Sequence, residues 1–267
     1  MIKGVEAHIH LDMYEESKAR EIAAELHDHH VLAIIAVSRH LASSNATKAL
    51  RDHAPDRVFA AYGFHPEQQL PTEDELTALE SWIIEHADEA VAIGEIGLPY
   101  YMRKEAEEQG AEFDLEPYIK VLDRMLRLAA RLHKPVALHA VYEDADIVCD
   151  LLDRHGIRKA HFHWFKGSSL TLQRMMNSGF MISITPDVLY ENEIQDLVRI
   201  YPIEQMMVET DGPWPFEGPF EGRETHPHMI FAVIEQIANI KHIPLQEAAD
   251  RLLRNTVQFY SLPINNE

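Results

Sequence analysis

The chain has 267 residues, 46% of them hydrophobic, which excludes intrinsic disorder and supplies a large core. Its 24 Lys and Arg stand against 44 Asp and Glu, a net charge of −20. That balance excludes a broad basic surface for coating duplex nucleic acid, because phosphate neutralisation drives such binding. A lone cysteine, Cys149, excludes an internal disulfide framework and a cysteine zinc cage, and it reads as a small buried hydrophobe in an apolar helix. Any metal must therefore be held by His and carboxylate, and the 17 histidines offer the commonest metal-binding side chain. No stretch reaches the roughly 18 consecutive apolar residues of a membrane span. The N-terminus turns polar by Glu6, His8 and His10, without the apolar segment of a secretory signal, so the expectation is a cytoplasmic protein with no membrane partner.

Apolar, β-branched runs alternate with amphipathic stretches of helical length. The predicted strands are 5–11, 31–38, 58–65, 91–98, 135–141, 159–165, 180–185 and 205–211. The predicted helices lie near 17–29, 43–53, 73–87, 114–133, 144–155, 169–178, 192–200, 227–240 and 245–254. Such alternation predicts a parallel sheet, and eight units predict an α/β fold, a (β/α)8 TIM barrel formed as one domain over 1–267. An open doubly wound sheet is the alternative, but no Gly-rich phosphate loop follows the first strand. The charged segment 102–116 reads as a solvated loop and helix start.

Polar residues cluster at the ends of these strands. His8 and His10, two apart, share one strand face, with Glu6 a layer deeper. His65 ends the third strand, Glu95 lies late in the fourth, His139 in the fifth and His163 in the sixth, and Asp211 ends the eighth. A buried carboxylate or imidazolium is costly unless paired or metal-bound. In a barrel these strand ends converge on the mouth where such enzymes react. Each residue also has a plainer reading: His65 or His139 as a hydrogen-bonded core histidine, Asp211 before Gly212-Pro213 as a turn residue. Glu95, between glycines in an apolar strand, has none, and together the set points to a two-metal site. His161 is read as a deeper barrel residue, His27, His29 and His30 as solvated surface, and His226 and His228 as loop or helix-start residues.

The chain resembles the TatD family of metal-dependent hydrolases, within the wider amidohydrolase-like barrels. The resemblance rests on His8-Ile9-His10-Leu11-Asp12, Gly63-Phe64-His65-Pro66, Gly94-Glu95-Ile96-Gly97-Leu98, Pro135-Val136-Ala137-Leu138-His139, His163-Trp164-Phe165-Lys166-Gly167 and Glu209-Thr210-Asp211-Gly212-Pro213. Asn255-Thr256 adds a weaker match. It implies two divalent ions, one on His8, His10 and Asp211, the other on His139 and His163, with Glu95 bridging and His65 facing the substrate. Imidazole-rich ligation suits Zn, Mn, Ni or Fe better than Mg, although nucleases of the family are described as using Mg. The resemblance implies phosphodiester hydrolysis in DNA or RNA, often exonucleolytic, with Glu95, Asp211 and His65 as the catalytic residues. Ester cleavage on aminoacyl-tRNA is known among relatives.

Three departures from the family pattern fall at substrate-facing positions. Pro99, followed by Tyr100 and Tyr101, replaces an Asp. Trp164 and Lys166 replace a Cys and a Ser. The family's Arg-Asn-Glu-Pro survives only as Arg223-Glu224-Thr225-His226-Pro227. Two divalent ions against two carboxylates leave about +2 of formal charge, enough to attract a phosphate locally. Asp211 is then expected to orient and deprotonate a water, with His65 hydrogen-bonding the attacked group or leaving oxygen. Tyr100, Tyr101, Trp164 and Trp214 are candidates to line the mouth and stack on bases, with Lys166 or Arg103 reaching a phosphate. Loop packing is the alternative for each. The leading expectation is a phosphodiesterase acting on nucleic-acid ends. The alternatives are a hydrolase of small esters, lactones or amides, and a non-enzymatic metal-binding barrel.

Overall fold

A computed structural model describes residues 1–264. Its strands are β1 (Gly4–Ile9), β2 (Val31–Val37), β3 (Val58–Tyr62), β4 (Ala90–Gly97), β5 (Val136–His139), β6 (Ala160–Phe162), β7 (Met181–Ile184) and β8 (Met206–Val208). They form one sheet in sequence order, each parallel to the next. The Asp211 N–H donates to the His8 carbonyl at 3.1 Å and the His10 N–H to the Gly212 carbonyl at 2.8 Å, which ties the last strand's exit to the first. The result is the nearly closed eight-stranded barrel that the alternating pattern predicts.

The helices are α1 (Glu16–Glu25), α2 (Leu41–His53), α3 (Glu73–Glu85), α4 (Tyr100–Glu108), α5 (Glu116–Leu132), α6 (Asp144–His155), α7 (Ser169–Ser178), α8 (Asn192–Ile200), α9 (Ile230–Lys241) and α10 (Leu245–Tyr260). Local signals set their ends. Thr72 Oγ1 accepts the Glu75 N–H at 3.3 Å while Glu75 Oε2 accepts the Thr72 N–H at 2.8 Å, a reciprocal cap that starts α3. In α5 the buried Tyr118, Leu122, Met125, Leu126 and Ala129 recur at helical spacing, giving the stripe that packs on the sheet. Among the described residues no helix is long and apolar enough to cross a membrane.

Two expectations are corrected. The segment after β4 contains α4 rather than a loop, and this helix buries none of its residues. It has no apolar stripe to reveal it, because its N-terminus is held from outside by a carboxylate described below. The strands also end earlier than the apolar runs suggest: His10, His65, His163 and Asp211 lie just past the last strand residues. Apolar character continues to the rim, but there the backbone leaves the ladder.

Close strand contacts explain the glycines of the motifs. A Cβ on Gly97 would lie 1.9 Å from the His139 carbonyl oxygen, and one on Gly63 would lie 2.6 Å from the Glu95 carbonyl oxygen. Glycine at both places lets β3, β4 and β5 approach and brings Glu95 level with the histidines.

Phe162 is fully buried, its ring centroid 6.0 Å from Phe165 and 5.7 Å from Phe180. Phe162→Ala is expected to destabilise the fold by about 3–5 kcal/mol, measured by chemical denaturation.

Candidate metal centre

The structure gathers six of the predicted residues around a seventh, Glu95, which is fully buried. Its two carboxylate oxygens divide the histidines between them. Oε2 lies 3.2 Å from His8 Nε2 and 3.0 Å from His10 Nε2. Oε1 lies 2.7 Å from His163 Nε2, 3.2 Å from His139 Nδ1 and 3.4 Å from His65 Nε2. Asp211 Oδ1 closes the first group at 3.4 Å from His8 Nε2 and 3.6 Å from His10 Nε2. The His8 and His163 rings stack at 4.0 Å, so the two groups share one wall. Asp211 at φ 47° and Trp164 at φ 38° hold left-handed backbone conformations, strain of the kind concentrated at functional sites.

The donor set fits divalent cations. Both Glu95 oxygens, Asp211 Oδ1 and both His8 ring nitrogens are buried and lack a hydrogen-bond partner. Leaving that many polar atoms orphaned is expensive unless something else satisfies them. One atom each from His8, Glu95 and His163, and from His8, His10 and Asp211, lies within 4.8 Å of its companions.

Electrostatics agree with geometry. Burial alone would raise the Glu95 pKa, but His163, His65 and His8 outweigh it and hold the carboxyl well below its ordinary range. Burial pushes Asp211 up to about 7, against the pull of His163 and His10. Burial drives His8 well down, with repulsion from His163 assisting. For His163, Glu95 and Glu209 overcome burial and lift it well above the ordinary range. His10 and His139 are lifted likewise, by Glu95 and by Glu67 with Glu95, respectively.

A ring of acids outside this set, to which the sequence reading assigned no role, fixes the imidazoles. Glu67 Oε1 lies 3.1 Å from His139 Nε2. Its two oxygens also accept the Tyr101 and Met102 N–H groups, both at 2.8 Å, and so hold the start of α4. The His139 Nε2 proton is thereby assigned to Glu67, and in the neutral ring the Nδ1 lone pair faces Glu95. Glu209 Oε1 accepts the Trp164 N–H at 2.7 Å and lies 3.7 Å from His163 Nδ1. Glu6 sits deeper, as expected, its Oε1 accepting the His8 and Thr210 N–H groups across the β1–β8 seam. His65 Nδ1 accepts the Glu67 N–H at 3.2 Å, so the neutral ring carries its proton on Nε2, directed at the site. His161 is a deeper residue, bonded to Tyr260 Oη and Ser183 Oγ, both at 2.6 Å.

The rim residues separate. Tyr101 is half exposed, its ring 6.0 Å from His139, whereas Tyr100 packs against Tyr142 at 4.9 Å. Trp164 Nε1 donates to Asp187 at 2.6 Å and its ring meets the exposed Trp214 at 5.6 Å. Lys166 lies in the electrostatic reach of the same Asp187. Arg103 is committed to Asp144 at 2.6 Å and Glu143 at 3.2 Å.

Two outcomes follow. Glu67→Gln is expected to weaken divalent-metal affinity about 10–100-fold while the circular dichroism of the fold is unchanged. A metal must displace the protons carried by Asp211 below about 7 and by the lifted imidazoles. Binding is therefore expected to release protons and to weaken as pH falls through that value, seen as buffer-dependent heats in calorimetry.

Comparison with known proteins identifies the family. The family model described as TatD related DNase matches residues 5–261. An uncharacterized metal-dependent hydrolase of Haemophilus influenzae is 36% identical over 257 residues, covering 96% of this chain and 99% of that protein. The human deoxyribonuclease TATDN3 is 27% identical over 96% of this chain and 94% of its own length. The crystal structure of YJJV, a TatD homolog from Escherichia coli, superposes with a TM-score of 0.85 at 25% identity over 97% of this chain and 98% of that one. The chain belongs to the TatD family of metal-dependent hydrolases.

Proposed function

We propose that the chain, acting as one catalytic domain, is a divalent-metal-dependent phosphodiesterase that cleaves nucleic-acid ends, a deoxyribonuclease of exonuclease type. The observation that carries this reading is the division of the Glu95 carboxylate, one oxygen toward His8 and His10 and the other toward His139 and His163. That division supports a bridging role between two cations, one on His8, His10 and Asp211, the other on His139 and His163. Ions held there would supply Lewis-acid activation of water and of the attacked phosphoryl oxygen. The name of the human relative as a deoxyribonuclease favours DNA among phosphodiesters.

The chain's own groups supply the rest. Asp211, with Oδ1 3.4 Å from His8 Nε2 at the edge of the cluster, takes the proton of the attacking water. His65, its Nε2–H fixed by the Glu67 N–H on Nδ1, donates to the attacked group or the leaving oxygen. Tyr101 and Trp214, exposed at 50% and 56%, offer flat surfaces for unpaired bases.

The test is hydrolysis by purified, metal-loaded protein of end-labelled DNA and RNA, a small phosphodiester, carboxylesters and lactones. Progressive shortening of labelled DNA is expected. Turnover confined to esters or lactones would overturn the phosphodiester reading. Glu95→Ala and Asp211→Ala are expected to stay folded, lose bound metal and lower turnover about 10²–10⁴-fold. Full metal content and turnover in either variant would refute the ligand assignment.

A further inference from the structure

The segment between β8 and α9 runs back along α1. At the start of α1, Tyr14 Oη donates to the Thr225 carbonyl at 2.8 Å and Lys18 approaches Glu224 at 3.9 Å. Past the end of α1, His226 and His228 meet His29 in the turn before β2. The sequence reading left all three as surface or loop residues, but the fold collects them. Ring centroids lie 5.0 Å apart for His29 and His226, 5.1 Å for His29 and His228, and 4.5 Å for His226 and His228. One nitrogen from each ring falls within 4.8 Å of the other two.

Their nitrogens are poorly satisfied. The His226 and His228 Nδ1 atoms lie 2.6 Å apart and His226 Nδ1 also accepts the His228 N–H at 3.2 Å, which leaves His226 Nε2 as the nitrogen free to ligate. His226 Nε2 is buried with no hydrogen-bond partner. Burial, then His228, His29 and Lys18, pushes His226 down to about 4, and burial, then His29 and Arg223, pushes His228 down as well. Both rings are therefore neutral at neutral pH, the form that ligates metal. Of the nearby cations, Lys18 is already paired with Glu21 at 3.0 Å. Glu25 Oε2 stands 3.9 Å from His29 Nε2, an oxygen within reach of a fourth coordination position.

We propose that His29, His226 and His228 form a second metal site, separate from the barrel mouth, that takes a borderline divalent transition cation such as Zn²⁺. Three imidazoles with Glu25 or a water make a four-coordinate set, and an ion at about 2.0–2.1 Å from each nitrogen needs only small rotations of surface rings. The site clips the α1–β2 turn to the segment that leads away from Asp211. It stabilises that long connection by binding the folded arrangement alone.

The experiment is calorimetric Zn²⁺ titration of the metal-stripped full chain, compared with a His226→Gln/His228→Gln double variant and, separately, with His29→Gln. Each variant is expected to bind one ion fewer than the unaltered chain, with the circular dichroism of the fold unchanged. Zinc-edge anomalous density from crystals of the unaltered, zinc-loaded chain is expected to peak among the three rings. Equal stoichiometry in all three proteins, or a zinc-edge map with no peak there, overturns the proposal. Because the readout is a difference in stoichiometry, it stands or falls separately from the assignment at the barrel mouth.

Discussion

The structure depends on one ionised carboxylate with no access to water. Glu95 has no exposed surface, yet its surroundings hold it well below its ordinary pKa. A bare charge in such a place costs several kcal/mol even after relaxation, so the fold must provide compensation. Five imidazoles surround it, drawn from four other strands or their exits. Glycines at 63 and 97 allow the strands beside it to come close enough.

To ligate a metal the imidazoles must also be turned to present the correct nitrogen, and the outer acids do this. Glu67 takes one side of His139, and Glu209 lies behind His163. Glu209 is itself fixed by a directional chain. Tyr260 Oη donates to His161 Nδ1, His161 Nε2 donates to Ser183 Oγ, and Ser183 Oγ donates to Glu209 Oε2 at 2.5 Å. Every member of that chain is buried, and a fully satisfied buried network rigidifies what it touches. The last helix thus reaches the orientation of a histidine at the mouth through three side chains.

Much of this was legible in the sequence, for physical reasons. Alternating apolar runs give parallel strands because both sheet faces are buried. A carboxylate between glycines in an apolar strand, and two histidines two residues apart on one strand face, have no solvent to explain them. Glu67 was not legible, because a Glu two residues past a strand-exit histidine looks like any solvated loop acid. Only its place opposite α4, with two backbone N–H groups on it, gives it a role. Helix α4 hid for the complementary reason: it is held by that end contact and buries nothing along its length. His29 with His226 and His228 also lay beyond reading, since only the path of the β8–α9 segment along α1 joins them.

On the phosphodiesterase reading proposed above, the charge distribution constrains how an anionic substrate would be drawn to so acidic a protein. Two basic groups are already engaged, Arg103 with Asp144 and Glu143 and Arg39 with Asp12 at 3.2 Å, while Lys166 lies in the electrostatic reach of Asp187. Against a net charge of −20 these three groups offer little attraction of their own. On that reading, attraction for a phosphodiester would come chiefly from within the cluster, where cations on neutral imidazoles would outweigh Glu95 and Asp211. A field built at that depth acts over short range, focused by low-dielectric walls. Such a field would favour a strand end that can enter the barrel over a duplex lying across its surface.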